Sequence, residues 1–158
     1  VKIKLSAEEI FQGAAVGCMR MTKAIKRGNN TINDPDHNML WQYHVEGALA
    51  EMAFAKAMNR YWSSGDVHDV DVGHWEIRQT PKPKSKAKLV VRERDKQLGK
   101  MDKPFALVCG RYGEYEIAGW MMGHDCQVLG ELKDPTGTGR PKAYFIPAEN
   151  LKSMEDVT

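Results

Sequence analysis

Glu51, Asp71, Glu76 and Arg78 are the residues of this chain whose types and spacing could do chemistry. Converging carboxylates are what a hard, oxygen-loving cation requires. A guanidinium beside them can give a bidentate hydrogen bond to a phosphate oxygen. Glu51 stands out first. On a helical wheel, Leu40, His44, Gly47, Ala48, Phe54, Ala55 and Met58 fall within about 60° of it. Gln42, Glu46, Lys56 and Arg60 take the opposite face. A carboxylate in the middle of an apolar stripe needs a cation or a hydrogen-bond partner. The alternative to a metal is a buried ion pair or a capped carboxylate. Asp69-Val70-Asp71-Val72-Gly73 alternates, which puts both aspartates on one side and both valines on the other. After a turn at Gly73-His74, Glu76 and Arg78 share one face of the next run, and Trp75 and Ile77 the other. Asp71, Glu76 and Arg78 then share a face near the hairpin, which can meet the helix carrying Glu51. The alternative is a solvated hairpin face with Arg78 neutralising Glu76.

The elements that must position these groups follow from pattern and punctuation. Ser6 and Glu9 fit a capping box opening a helix over 7–26, stopped by Gly28-Asn29-Asn30. Residues 31–36 (TINDPD) read as a loop. The Ala-, Met- and Leu-rich stretch predicts a second helix over 37–60, ended by Ser63-Ser64-Gly65-Asp66. Short β-like runs follow at 67–72, 75–79, 89–92, 105–109 and 115–120. A short helix is expected at 124–130, a last strand at 143–146, and the start of a terminal helix over 147–154. This order predicts an α/β (α+β) fold, a central mixed sheet flanked by helices, in one domain over 1–158 with its core at about 37–130.

Bulk properties narrow the class. The 158 residues are 42% hydrophobic and 28% charged, an ordinary globular balance. No apolar run approaches a membrane span, and Val1-Lys2-Ile3-Lys4-Leu5 has no signal-peptide pattern, so a soluble cytoplasmic protein is expected. Net charge is only +2, so any nucleic-acid surface must come from charge placed locally. The three cysteines, Cys18, Cys109 and Cys126, are widely spaced and read as buried free thiols. Residues 80–88 (TPKPKSKAK) carry Lys82, Lys84, Lys86 and Lys88 directly after the acidic hairpin. As a mobile basic loop they would contact phosphates without reading sequence, with Arg92, Arg94 and Lys96 extending the charge. The alternative is a solvated connection.

The run Gly47-Ala48-Leu49-Ala50-Glu51, then Asp71, then Glu76-Ile77-Arg78 resembles the PD-(D/E)XK nuclease superfamily, over roughly 40–120. The wider texture, GALAEMAFAKAMNRYW, DVDVGHWEIR, LVVRERDK, FALVCG and YEIAGWMMG, looks like small phage-encoded members. The resemblance implies a restriction-endonuclease-like fold with an extra N-terminal helix. It implies a metal-dependent DNA nuclease in phage DNA processing, recombination or repair, residing in the host cytoplasm if phage-encoded. Mg2+, with Mn2+ as substitute, would be held by Asp71, Glu76, the carbonyl of Ile77 and Glu51, with Asp69 a spare carboxylate. The DNA contacts would be Lys82, Lys84, Lys86 and Arg92. Such nucleases are often dimers, so a homodimer is among the expected assemblies.

The family's lysine is Arg78 here, and an arginine cannot lose its proton at ordinary pH. Arg78 can still stabilise transition-state charge. Lys88 is the candidate for a migrated lysine. The proline that precedes the family's aspartate is also missing. The competing readings are a catalytically inactive DNA-binding relative and an assembly protein on the same fold. A zinc site using His68, His74, Asp69 and Asp71 is a further alternative. Residues 135–140 (PTGTGR) lack the ending of a phosphate loop and read as a turn. The four tryptophans read as core and edge packing.

Overall fold

The computed structural model describes residues 1–28, 39–63, 71–134 and 142–157. The first element is β1 (Lys2–Lys4), followed by α1 (Ala7–Lys26). Ser6 caps α1 as its sequence predicts: the Glu9 N–H donates to Ser6 Oγ at 3.3 Å, and the Ser6 N–H donates to Glu9 Oε2 at 2.6 Å. α2 (Leu40–Ala57) is the second helix, and the start expected for it at His37 lies outside the described residues. β2 (Glu76–Thr80), β3 (Lys88–Arg92), the short helix α3 (Glu93–Gln97), β4 (Pro104–Arg111) and β5 (Glu114–Met122) follow. The chain continues through α4 (Gly123–Leu129), β6 (Glu131–Lys133) and β7 (Ala143–Pro147).

The fold is α+β, but the strands divide between two sheets. A mixed four-stranded sheet runs β1-β5-β4-β2, with β2 parallel to β4 and the other pairs antiparallel. An antiparallel three-stranded sheet runs β3-β7-β6. β4 joins the two because both of its faces are apolar. Ala106 and Val108 pack with Leu49, Ala53 and Phe54 of α2, while Phe105 and Leu107 pack with Leu89, Val91 and Ile146 of the second sheet. The segment expected to open a terminal helix forms two 3₁₀ turns instead, Ala148–Asn150 and Met154–Asp156. Residues 80–88 are not a structureless loop either. They contain a 3₁₀ turn at Lys84–Lys86 followed by Ala87, which is buried and whose carbonyl accepts from the Ala148 N–H at 3.1 Å.

α2 is buried all round from Ala48 to Ala55, the pattern of a core helix rather than an amphipathic one. Glu46, expected on its polar face, is therefore covered. It accepts from the Tyr115 hydroxyl at 2.6 Å and the Tyr112 N–H at 3.1 Å. Burial and this bond to Glu46 hold the Tyr115 phenol protonated far above its ordinary range. α1 packs close on α2 because Gly17 has no side chain: a β-carbon there would come within 2.5 Å of Val45 Cα. Among the described residues no helix is long and apolar enough to cross a membrane. Cys109 and Cys126 are buried as expected, their thiols pushed by burial up to about 11 and about 12; Cys18 is exposed.

Candidate active site

The close approach of α1 and α2 delivers a cation to Glu51. Arg20 lies three residues beyond Gly17 on the same face of α1. Its Nη1 donates to Glu51 Oε1 at 2.6 Å and its Nη2 to Oε2 at 2.7 Å. Trp62 Nε1 adds a third hydrogen bond, 3.0 Å to Oε2. Arg20 is 8% and Glu51 5% exposed, so this is a buried bidentate ion pair, the alternative the helical wheel leaves open. The wheel shows that Glu51 needs a partner and does not name it. The signal in the sequence is the stripe Gly13, Gly17, Arg20, with small residues one turn apart and then a long cation. Beside the pair, His44 is held below its ordinary pKa by burial and by the charge of Arg20, so its imidazole is neutral at pH 7.

The hairpin places Asp71. Val72 and Trp75 form an antiparallel bridge across Gly73-His74, and Gly73 takes φ +60° to close it, the turn its sequence predicts. Trp75 anchors the turn on the core, with its ring 5.2 Å from Phe54 and 5.5 Å from Trp120. Asp71 then lies at the start of β2, where its Oδ2 accepts the Ile77 N–H at 2.6 Å. Burial raises the Asp71 carboxyl from 3.8 to about 7, and the charges of Glu51 and Glu76 add to the rise. The Ile77 N–H and Arg78 oppose it. Asp71 is thus electrostatically coupled to both glutamates. Asp69 and His68 lie outside the described residues, as do most of the strand expected at 67–72 and the turn at 135–140.

Glu76 and Arg78 share a face of β2 as the alternation requires, but that face does not turn toward α2. Ile77 packs on the helix side, while Glu76 and Arg78 pair in register with Phe105 and Leu107, which face the second sheet. Because side chains alternate with period 2, the core valence of Ile77 decides the direction. Asp71 therefore stands at the sheet edge between a glutamate on each side. Glu76 is 1% exposed. Lys100 Nζ donates to its Oε2 at 2.8 Å, with Arg78 Nη1 3.6 Å from the same oxygen. Its Oε1 is buried and has no hydrogen-bond partner among the described residues; Lys103 Nζ lies 3.9 Å from it.

Arg78 bridges several groups. Its Nη2 donates to Asp95 Oδ1 at 2.9 Å and its Nη1 to the Ile77 carbonyl at 3.3 Å, and the guanidinium lies 4.9 Å from the centre of the Phe105 ring. Burial works against its charge, but Asp95, Asp71 and Glu76 more than offset that and hold it above its ordinary range. Asp95 is a site residue that the sequence pattern does not mark. Its Oδ2 caps α3 by accepting the Arg92 N–H at 2.8 Å, and its carbonyl accepts the Lys100 N–H at 2.9 Å. One aspartate thus orients Arg78 with its side chain and Lys100 with its backbone. The lysine on Glu76 is Lys100 rather than Lys88. Nothing in the spacing points to it, because 24 residues separate it from Glu76.

Lys88 instead lines a cleft of about 410 Å³ between the two sheets, together with Arg78, Lys82, Lys86, Arg92 and Lys133. Three of the four expected DNA-contacting residues, Lys82, Lys86 and Arg92, therefore meet in one place. Lys84 points elsewhere, into a groove that also carries Glu114 and Glu116.

A divalent cation fits part of this donor set. Asp71 and Glu76 are two buried or partly buried carboxylates whose charges couple, and Glu76 Oε1 is an open oxygen. Magnesium keeps several waters and is often held by only one or two carboxylates. Glu51 fits less well as a direct ligand, since both of its oxygens are taken by Arg20. Among the described residues no group of three His, Cys, Asp or Glu side chains is arranged to hold a metal ion. The chain matches no family model, no curated protein and no solved structure with which it was compared.

Proposed function

We propose that this chain is a magnesium-dependent deoxyribonuclease whose ion is held by Asp71 and Glu76. The observation that carries the reading is the buried Oε1 of Glu76, unpartnered among the described residues, whose charge acts on the Asp71 carboxyl that burial and like charge hold protonated to about pH 7. Both features are unfavourable in isolation and are relieved by a cation. When bound, magnesium supplies Lewis-acid charge and an activated water. Arg78, a permanent cation between the carboxylates and the cleft, stabilises charge on a phosphate oxygen. Lys100 holds the Glu76 carboxylate in place, and Asp95 holds both cations. Glu51 acts through its charge on Asp71 rather than by ligation.

The closure of Glu51 by Arg20 favours a second reading, a catalytically inactive DNA-binding relative. One comparison separates them. Wild type and Asp71→Ala, prepared identically, are incubated with linear, nicked and four-way-junction DNA in magnesium, manganese or chelator. The nuclease reading expects metal-dependent cleavage by wild type that drops about 10³-fold in Asp71→Ala, the worth of several kcal/mol of charge stabilisation. Equal residual cleavage in both would be contamination and would leave the binding role.

A further inference from the structure

We infer that the cleft between the two sheets takes a single strand of DNA, lying along Arg78, Lys82, Lys86, Lys88, Arg92 and Lys133. The inference deepens the nuclease reading and rests on it for the reaction, while the binding stands on the cleft alone. Of the described residues lining the cleft, six are Lys or Arg and none is Asp or Glu. For a chain of net charge +2 this is a strong local concentration of positive charge. The cations come from separate elements: Arg78 from β2, Lys88 and Arg92 from β3, Lys133 from β6, and Lys82 and Lys86 from the turn joining β2 to β3. They surround a space rather than coat a surface.

The size and floor of that space select the ligand. About 410 Å³ admits a strand of a nucleotide or two in depth. A duplex, a wide rod with its bases stacked inward, could touch only the rim. Val90 and Phe145, both partly exposed, supply apolar surface among the cations. A single strand can lay exposed base faces on such surface while its phosphates meet the lysines. Lys133 pairs with Glu131 at 2.8 Å and lies 5.3 Å from the centre of the Phe145 ring, so it belongs to the wall at that end. Arg78 is common to the cleft and to the carboxylate site, 3.6 Å from Glu76. A strand in the cleft would therefore pass the site where we propose its backbone is cut.

The test reads binding without cleavage. Fluorescence anisotropy is recorded in EDTA with a labelled single-stranded oligonucleotide and a blunt duplex of equal length, over a salt series. The single strand should bind at least about tenfold tighter, the worth of one stacked base. Replacing the exposed Lys82, Lys86 and Lys88 with alanine should reduce the log–log salt slope on the single strand by about 2, at about 0.7 per lost phosphate contact. Replacing Lys2, Lys23 and Lys26, exposed and outside the cleft, makes the same change in net charge and should leave the slope nearly unchanged. Duplex binding as tight as single-strand binding would overturn the inference, and so would equal slopes in the two triple variants. Selective single-strand binding without metal-dependent cleavage would sink the nuclease reading and leave the cleft assignment standing.

Discussion

Two buried glutamates show how differently one residue type can be satisfied. Glu51, between α1 and α2, receives two hydrogen bonds from Arg20 and one from Trp62, so both of its oxygens are partnered. Glu76, between the two sheets, is even less exposed, yet among the described residues only its Oε2 is hydrogen-bonded, to Lys100. The first is a closed structural pair. The second is a carboxylate held in place with one oxygen left over, which is the condition a ligand can exploit. Burial alone thus does not distinguish the two acids; the oxygen left without a hydrogen bond does.

The contrast can be broken most forcefully at the closed pair. Arg20→Met should leave Glu51 buried without its cation and cost about 3–5 kcal/mol in urea unfolding. Magnesium should not restore that loss. Lys100→Met, which uncovers the second oxygen of Glu76, should also destabilise the metal-free chain, but there added magnesium should recover most of the loss. Identical responses of the two variants to magnesium would erase the distinction between the glutamates.

A somewhat smaller effect is expected at Arg78. Arg78→Ala should lower metal-dependent turnover by about 10²–10³-fold, the scale of losing one preorganised donor. Single-strand affinity should fall far less, because the cleft keeps its lysines. A loss of affinity that matches the loss of turnover would make Arg78 a binding residue only.

The smallest expected effect is on the pH dependence of the metal-free chain. The Asp71 carboxyl is raised from 3.8 to about 7 by burial and by Glu51 and Glu76, so the folded chain binds this proton more tightly than the unfolded chain. Its stabilising contribution is fully present below about pH 4 and is lost as the pH rises through about 7. The unfolding free energy from urea titration in EDTA should therefore fall from pH 5 to pH 8, by on the order of 2 kcal/mol after screening at this partly buried site. Asp71→Asn should flatten that decline. A wild-type midpoint that does not move over this range would mean that Asp71 is solvated and unperturbed.

Much of the scaffold was legible in the sequence. Ser6 and Glu9 determined the start of α1, because a capping box is satisfied locally. The Gly73-His74 turn and the alternation of Glu76 with Ile77 were equally readable, since turns and pleats depend on neighbouring residues. That Glu51 would be inside and in need of a partner also followed, from helical periodicity alone. Only the tertiary structure decided which partner it has. Arg20 is 31 residues away, and it reaches Glu51 because Gly17 lets two helices touch. The same holds for Lys100 on Glu76, for Asp95 beneath Arg78, and for the face of β2 that turns to the second sheet. Local pattern says which side of an element is apolar. Which layer covers that side, and which distant charge meets a buried one, is set by how the layers stack, and no short-range spacing encodes it.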